Sequence, residues 1–216
     1  MTLQESPEER AASRTAQAQL LALCARLLAE EIDAPLYRAL AAEPMKSALS
    51  PLGGSFIEAA LEALGEERAL EALAVEYCRL FVGPHPACPP YHSAFRGEAL
   101  LGARHEARVH ELAARHELEL VLPARIVSAD HLAMELSLLA AALARPLDPS
   151  APDLATAELT EQLLLPWAPD FAAALTAAAE LGPYRALASL LQALLHGLSQ
   201  ALLEGAPQTP AILPPQ

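Results

Sequence analysis

The sequence predicts an all-α protein, a single domain of about eight to ten helices. Much of the 53% apolar content is alanine and leucine, two of the best helix formers, whereas aromatic residues make up only 4%. Prolines divide the chain, and the segments between them carry apolar residues at helical spacing. No alternating run rich in valine, isoleucine and threonine indicates a strand. At 216 residues the chain can bury a substantial core.

The first part of the chain is predicted to contain four helices, each followed closely by a proline or glycine. Pro44 should end the second of them, and Gly83 with Pro84 should end the fourth. The predicted ranges are 8–31, 34–42, 55–64 and 66–82.

Residues 83–95 form the one long stretch expected to be non-helical, because four prolines impose extended backbone there. A structureless connection of this length is uncommon in a compact domain and tends to be functional. Residues 145–152 are predicted to be a polar linker, and 206–216 a disordered, proline-rich tail after a domain spanning 1–205. The remaining helices are expected from 96 or 97 to 116 and at 128–144, 153–165, 169–181 and 183–204.

Charge and cysteine usage limit the classes of partner. The net charge of −13, from 27 acidic and 14 basic residues, disfavours nucleic-acid binding and favours encounter with a basic peptide. Three widely spaced cysteines give no disulfide framework. The acidic N-terminus is unlike a signal peptide, and no apolar run approaches the roughly 18–20 residues of a membrane span. We therefore expect a cytoplasmic protein.

Metal sites and catalytic triads are not indicated by residue spacing. The three histidines within 105–116 are five and six residues apart, whereas the zinc-protease helix needs two histidines four apart. A His, a Cys and a His within 85–92 are only a weak metal signal. The Ser, Asp and His of 128–131 are too close in sequence to form a triad. The chain is therefore expected to have no catalytic residue, metal or cofactor.

One helical face could contribute to a binding groove. Tyr77, Leu80 and Phe81 are spaced i, i+3, i+4 and so share a face that is either plain core or the floor of an apolar groove. In the second case we expect Phe81 to be largely core and Tyr77 to present its hydroxyl at the rim. The following loop, with Pro90 and Tyr91, is either a stiff connector or a rigid peptide-binding element.

The predicted helix 128–144 carries polar residues at its start. Ser128 can cap it, which puts Asp130 and His131 in the first turn. Asp130 should project at the helix tip, where it could accept an arginine in bidentate fashion. His131 and Glu135 flank the buried stripe on the same side. The alternative is an N-terminal acid beside a histidine that is satisfied within the fold.

Together these segments resemble the TorD/DmsD family, including its nitrate-reductase (NarJ-like) branch, of cytoplasmic redox-enzyme maturation chaperones. Tyr77, Leu80 and Phe81 match its aromatic-x-x-Leu-Phe motif. Asp130 and His131 match the end of its Glu-Pro-x-Asp-His motif, in which Val127 and Ser128 here replace Glu and Pro. Leu-Pro-Trp at 165–167 and Tyr-Arg-Ala-Leu at 184–187 extend the resemblance over about 66–203.

The resemblance implies a chaperone that binds the precursor of a molybdenum-cofactor oxidoreductase, assists cofactor insertion and delays export. The expected ligand is a twin-arginine signal peptide, with a basic segment followed by an apolar one. On this basis the peptide-binding residues are Glu76, Tyr77, Leu80, Phe81, Pro90, Tyr91, Ser93, Asp130, His131 and Glu135.

Three other functions remain open: a NarJ-like chaperone of a non-exported molybdoenzyme subunit, a helical metal- or nucleotide-dependent enzyme, and a purely structural helical adaptor. A monomer or a dimer domain-swapped at 145–152 is expected.

Overall fold

The structure, a computed structural model, describes residues 6–49, 56–146 and 153–205. Within these ranges no strand is present, and the chain forms eleven α-helices, so the all-α fold class is confirmed. The helices are α1 (Pro7–Ala29), α2 (Ala34–Ala41), α3 (Glu43–Leu49), α4 (Ala59–Leu64), α5 (Glu66–Tyr77), α6 (His92–Phe95), α7 (Ala103–Arg115), α8 (Leu132–Ala144), α9 (Leu154–Leu159), α10 (Ala168–Ala178) and α11 (Gly182–Gly205).

Two short helices, α3 and α6, lie where the sequence predicted none. Pro44 was expected to end a helix, but it is the second residue of α3, where a proline sacrifices no intrahelical hydrogen bond. α6 occupies one turn inside the stretch 83–95. Because of these two helices, the described residues contain eleven α-helices instead of the predicted eight to ten.

Two longer helices begin later than predicted. α7 begins at Ala103 because Gly97 and Gly102, with φ of 70° and 80°, interrupt the chain before it. α8 begins at Leu132, and its cap is His131, whose Nδ1 accepts a hydrogen bond from the amide of Ala133 at 3.1 Å. Ser128 therefore lies outside the helix and does not cap it.

α5 continues into one π-helical turn, Cys78–Val82, closed by a hydrogen bond from the Gly83 amide to the Cys78 carbonyl at 2.7 Å. A Cβ at Gly83 would lie 3.0 Å from that carbonyl oxygen, so a side chain would crowd the turn. Such turns inside helices frequently mark functional sites. α9 likewise continues into a π-helical turn, Thr160–Leu164.

α8 is the central helix, with ten of its thirteen side chains buried. α1 packs along it, and α10 packs along α11. Tyr184 of α11 joins the second pair to α5: its hydroxyl donates to the Leu73 carbonyl at 3.3 Å, and its ring meets Phe81 edge-on with centroids 5.7 Å apart. On one side of this core the loop after α5 meets the start of α8, to which backbone hydrogen bonds join it.

α11 contains a stretch, Gly182–Leu203, that is long and apolar enough to cross a membrane by length and composition. Core helices of soluble proteins pass the same test, and here side chains such as Tyr184, Leu187 and Leu191 are buried inside the fold. The prediction concerned uninterrupted apolar runs. Gly182–Leu203 is apolar on average but is interrupted by polar residues, so it passes the test without being such a run.

The division into a helical domain over 1–205 and a tail stays a prediction. The tail, 206–216, and most of the predicted hinge at 145–152 lie outside the described residues.

Candidate functional site

An open cleft of about 420 Å³ lies between the end of α5, the loop after it and the segment before α8. Five of the ten predicted site residues line it: Tyr77, Phe81, Pro90, Tyr91 and His131. Bound ligands commonly occupy clefts of roughly 300–1,000 Å³ lined mainly by apolar and aromatic side chains. The remaining lining residues are Ala29, Glu31, Val82, Arg125 and Ile126.

Tyr77 and Phe81 form the aromatic floor of this cleft. Their rings meet edge-on at 5.3 Å, and both side chains are buried. The expectation that the Tyr77 hydroxyl lies at the rim is wrong, because it donates a buried hydrogen bond to the carbonyl of Leu28 in α1 at 3.0 Å. Leu80, on the same turn, is fully buried and does not line the cleft.

Tyr91 and His131 form one wall of the cleft. They pair as a single antiparallel bridge, with the His92 amide donating to the Asp130 carbonyl at 2.9 Å and the Leu132 amide to the Pro90 carbonyl at 2.7 Å. Residues paired in this way are opposite each other without bonding directly, which brings their side chains close. The two rings accordingly meet at right angles with centroids 4.6 Å apart.

Asp130 is on the other face of this bridge, because successive side chains on extended backbone point in opposite directions. Its carboxylate is fully buried and accepts hydrogen bonds from the amide of Ser93 at 3.0 Å and from the Ser93 hydroxyl at 2.5 Å. The expectation that Asp130 projects at a helix tip is therefore wrong. Both residues are internal, and they fasten the loop to the start of α8.

The charge of Asp130 is stabilised inside the protein. Burial would raise the pKa of this carboxyl, but the hydroxyls of Ser128 and Ser93 and the Ser93 amide outweigh burial and hold the pKa below its usual range. Ser128 Oγ and Asp130 Oδ1 are both buried, and no other group in the described part of the chain bonds to either atom. The Ser93 hydroxyl also accepts a bond from the Gly102 amide at 2.9 Å.

Glu135 is also used internally. Its carboxyl is fully buried, 2.7 Å from His105 Nε2, and it accepts a hydrogen bond from Trp167 Nε1 at 3.0 Å. Burial raises the pKa of Glu135 well above its ordinary value and lowers the pKa of His105. The bonds of Glu135 to His105 and Trp167 link α8 to α7 and to the turn before α10, and burial keeps this carboxyl away from any ligand.

Glu76 faces a different, shallower concavity of about 580 Å³ bordered by α4, α5 and the connection between α10 and α11. Its buried carboxylate accepts bidentate hydrogen bonds from Arg79 at 2.8–2.9 Å and another from the Glu180 amide at 2.7 Å. Glu76 is therefore already paired and lies outside the cleft. The role of all ten predicted residues in peptide binding stays a prediction.

The sequence did not identify the two charged residues at the cleft, Glu31 and Arg125. Glu31 follows the end of α1, and Arg125 precedes the buried Ile126; their charges lie 3.6 Å apart. Neither belongs to a motif, and they are 94 positions apart, so only the fold brings them together. Within the described ranges, no three His, Cys, Asp or Glu side chains are grouped so as to hold a metal ion.

Replacing Asp130 with alanine is expected to lower the free energy of unfolding by about 2–3 kcal/mol, because the buried amide and hydroxyl of Ser93 lose their acceptor. Urea denaturation at pH 7 measures this loss. Asp170→Ala is the matched control, since this exposed acid is paired with Arg96 at the surface and should cost less than about 1 kcal/mol. Equal losses in the two variants would contradict an anchoring role for Asp130.

His131 should make stability fall with acidification. Burial lowers its pKa to about 4 from 6.5, so the folded state favours the neutral ring. This contribution is fully present above pH 6.5 and is lost as pH falls through about 4, amounting to about 3 kcal/mol.

His131→Asn keeps a capping acceptor but removes the titration. The loss of unfolding free energy between pH 7 and pH 4, measured with urea, should therefore be smaller in the variant than in wild type. Because His92 and His105 also have lowered pKa values, some acid loss should persist in both proteins. An unchanged difference between the two pH values would contradict this assignment.

This chain is similar in structure to a solved protein and in sequence to a protein family. A solved structure of a proposed redox enzyme maturation protein from Archaeoglobus fulgidus superposes with a TM-score of 0.51 at 21% sequence identity, covering 92% of this chain and 98% of that one. At this identity the likeness shows a shared fold. No curated protein gives a significant match.

The second match is to a sequence family. The family model described as nitrate reductase delta subunit matches residues 36–173, which is more than half of the chain. This range includes Tyr77, Leu80 and Phe81 as well as the Asp130–His131 pair. The chain therefore belongs to the nitrate reductase delta subunit family, the NarJ/TorD-like family of redox-enzyme maturation chaperones.

Proposed function

We propose that this chaperone binds the precursor of a molybdenum-cofactor oxidoreductase through a peptide segment that enters the cleft. The observation that carries the proposal is the cleft itself, which combines aromatic and aliphatic walls with a carboxylate, Glu31, at one side. An apolar segment would be desolvated against Tyr91 and Ile126, and a neighbouring basic group would meet the carboxylate. The net charge of −13 favours encounter with a basic peptide.

The ligand in this proposal is a twin-arginine signal peptide, a basic segment followed by an apolar one. Its capture in the cytoplasm would hold the apoenzyme for cofactor insertion and delay export until folding is complete. The chaperone would perform no covalent step. It would act as a monomer or as a dimer swapped through residues 145–152.

A second candidate is a chaperone of a subunit that is not exported. The match to the nitrate reductase delta subunit family favours it, since that family name refers to one such branch. The fold and cleft are compatible with both candidates, and the two differ in whether the ligand must contain paired arginines.

Replacing the two arginines of the peptide tests which candidate applies. A synthetic peptide with two adjacent arginines before a short leucine and alanine segment should bind at least tenfold more tightly than the same peptide with both arginines replaced by alanine. The reason is that a charge-assisted hydrogen bond is about twice as strong as a neutral one. Isothermal titration calorimetry measures both affinities. Equal affinities would favour the non-exported client.

Val82→Gln tests whether the cleft is the binding surface. Val82 lines the cleft and is 64% exposed, so a polar side chain there should remove an apolar contact with the peptide and weaken binding about fivefold without harming the fold. Val121→Gln is the matched control, because Val121 is 65% exposed and lies outside the cleft. Equal affinities for the Val82→Gln and Val121→Gln variants, measured by calorimetry, would exclude this cleft.

A further inference from the structure

The cleft contains one carboxylate and one guanidinium. Among the described residues that line it, Glu31 is the only acid and Arg125 the only arginine or lysine. A nitrogen of Arg125 lies 3.6 Å from a carboxylate oxygen of Glu31. The cleft therefore holds a cation of its own opposite the acid that a basic ligand would seek.

This ion pair is loosely held. At 3.6 Å it is longer than a hydrogen bond, and the two side chains are 49% and 69% exposed. Neither side chain has another hydrogen-bond or ion-pair partner among the described residues. Exposed pairs of this kind contribute little to stability. Glu76, in contrast, is buried and bound bidentately by Arg79.

The position of Glu31 favours a cation for a second reason. Glu31 lies two residues beyond Ala29, the last residue of α1, and the C-terminal end of a helix carries partial negative charge. Glu30 and Asp33 are close in sequence, and a single arginine, Arg26, pairs with both. The acidic end of α1 therefore borders the same cleft whose floor is Tyr77.

We infer that Arg125 is an internal substitute for the ligand's arginine, and that binding requires the ligand to displace Arg125 from Glu31. The inference rests on the proposed function and specifies its basic contact. An incoming guanidinium could bind Glu31 in bidentate fashion, a stronger geometry than the present single 3.6 Å contact. Arg125, exposed on a loop, would then turn toward solvent.

Competition between Arg125 and the ligand for Glu31 can be distinguished from simple charge repulsion between Arg125 and a basic ligand. If Arg125 competes for Glu31, removing Arg125 strengthens binding only while Glu31 is present. If Arg125 merely repels a basic ligand, its removal strengthens binding whether or not Glu31 is present. A double-mutant cycle on these two residues separates the cases.

The experiment measures the affinity of the diarginine peptide for wild type, Arg125→Gln, Glu31→Gln and the double variant by calorimetry. Arg125→Gln should bind about three- to fivefold more tightly than wild type, because an exposed ion pair no longer has to be broken. Glu31→Gln should bind about tenfold more weakly. The double variant should match Glu31→Gln. Arg68→Gln, an exposed arginine of the second concavity, controls for net charge and should change affinity little.

Two results would overturn the inference while leaving the proposed function standing. An equal gain from Arg125→Gln with and without Glu31 would indicate repulsion alone, and weaker binding by Arg125→Gln would indicate that Arg125 itself contacts the ligand. A third result, no binding by either wild type or Arg125→Gln, would overturn the proposed function and the inference together.

Discussion

The attachment of the loop 88–95 to the start of α8 is the constraint on which the cleft depends. Two backbone hydrogen bonds join the segments around Tyr91 and His131, and the buried carboxylate of Asp130 binds Ser93 beside them. Because neighbouring side chains on extended backbone point to opposite faces, Asp130 can anchor the junction from inside while His131 faces the cleft. One adjacent pair of residues thus provides both the anchor and a wall.

A second buried network supports this junction. Glu135, His105 and Trp167 connect α8, α7 and the turn before α10, and the ring of His105 stacks on that of His92 with centroids 3.9 Å apart. Burial drives both Glu135 and His105 toward neutral forms, which is the less costly way to keep polar groups in a core. A satisfied polar network of this kind rigidifies the core and fixes the orientation of its helices.

The helical architecture could be predicted from the sequence because proline positions and apolar spacing agree along most of the chain. Tyr77, Phe81, Pro90 and Tyr91, which the sequence offered as groove residues, line one cleft together with His131, and their part in binding stays a prediction. The error at Asp130 had a specific source. A helix capped by Ser128 would give Asp130 a helical direction, whereas the backbone there is extended and α8 begins at Leu132. The sequence alone does not show that the cap is the imidazole of His131, three residues after Ser128.

The long-range pairings could not be predicted from the sequence at all. Glu31 and Arg125 come from segments with no motif, and the amide that bonds to the Glu76 carboxylate belongs to Glu180, 104 positions away in the connection between α10 and α11. In each case the sequence shows that an acid is present, and only the fold shows which partner it already has.

Amide hydrogen exchange with and without the diarginine peptide tests the central claim most directly, because it reports where the ligand binds without any substitution. The account predicts slower exchange on binding in the segments around Val82–Tyr91 and Arg125–His131, with no change around Leu64–Val75 at the second concavity. Protection confined to Leu64–Val75, or absent from the whole chain under saturating peptide, would contradict it.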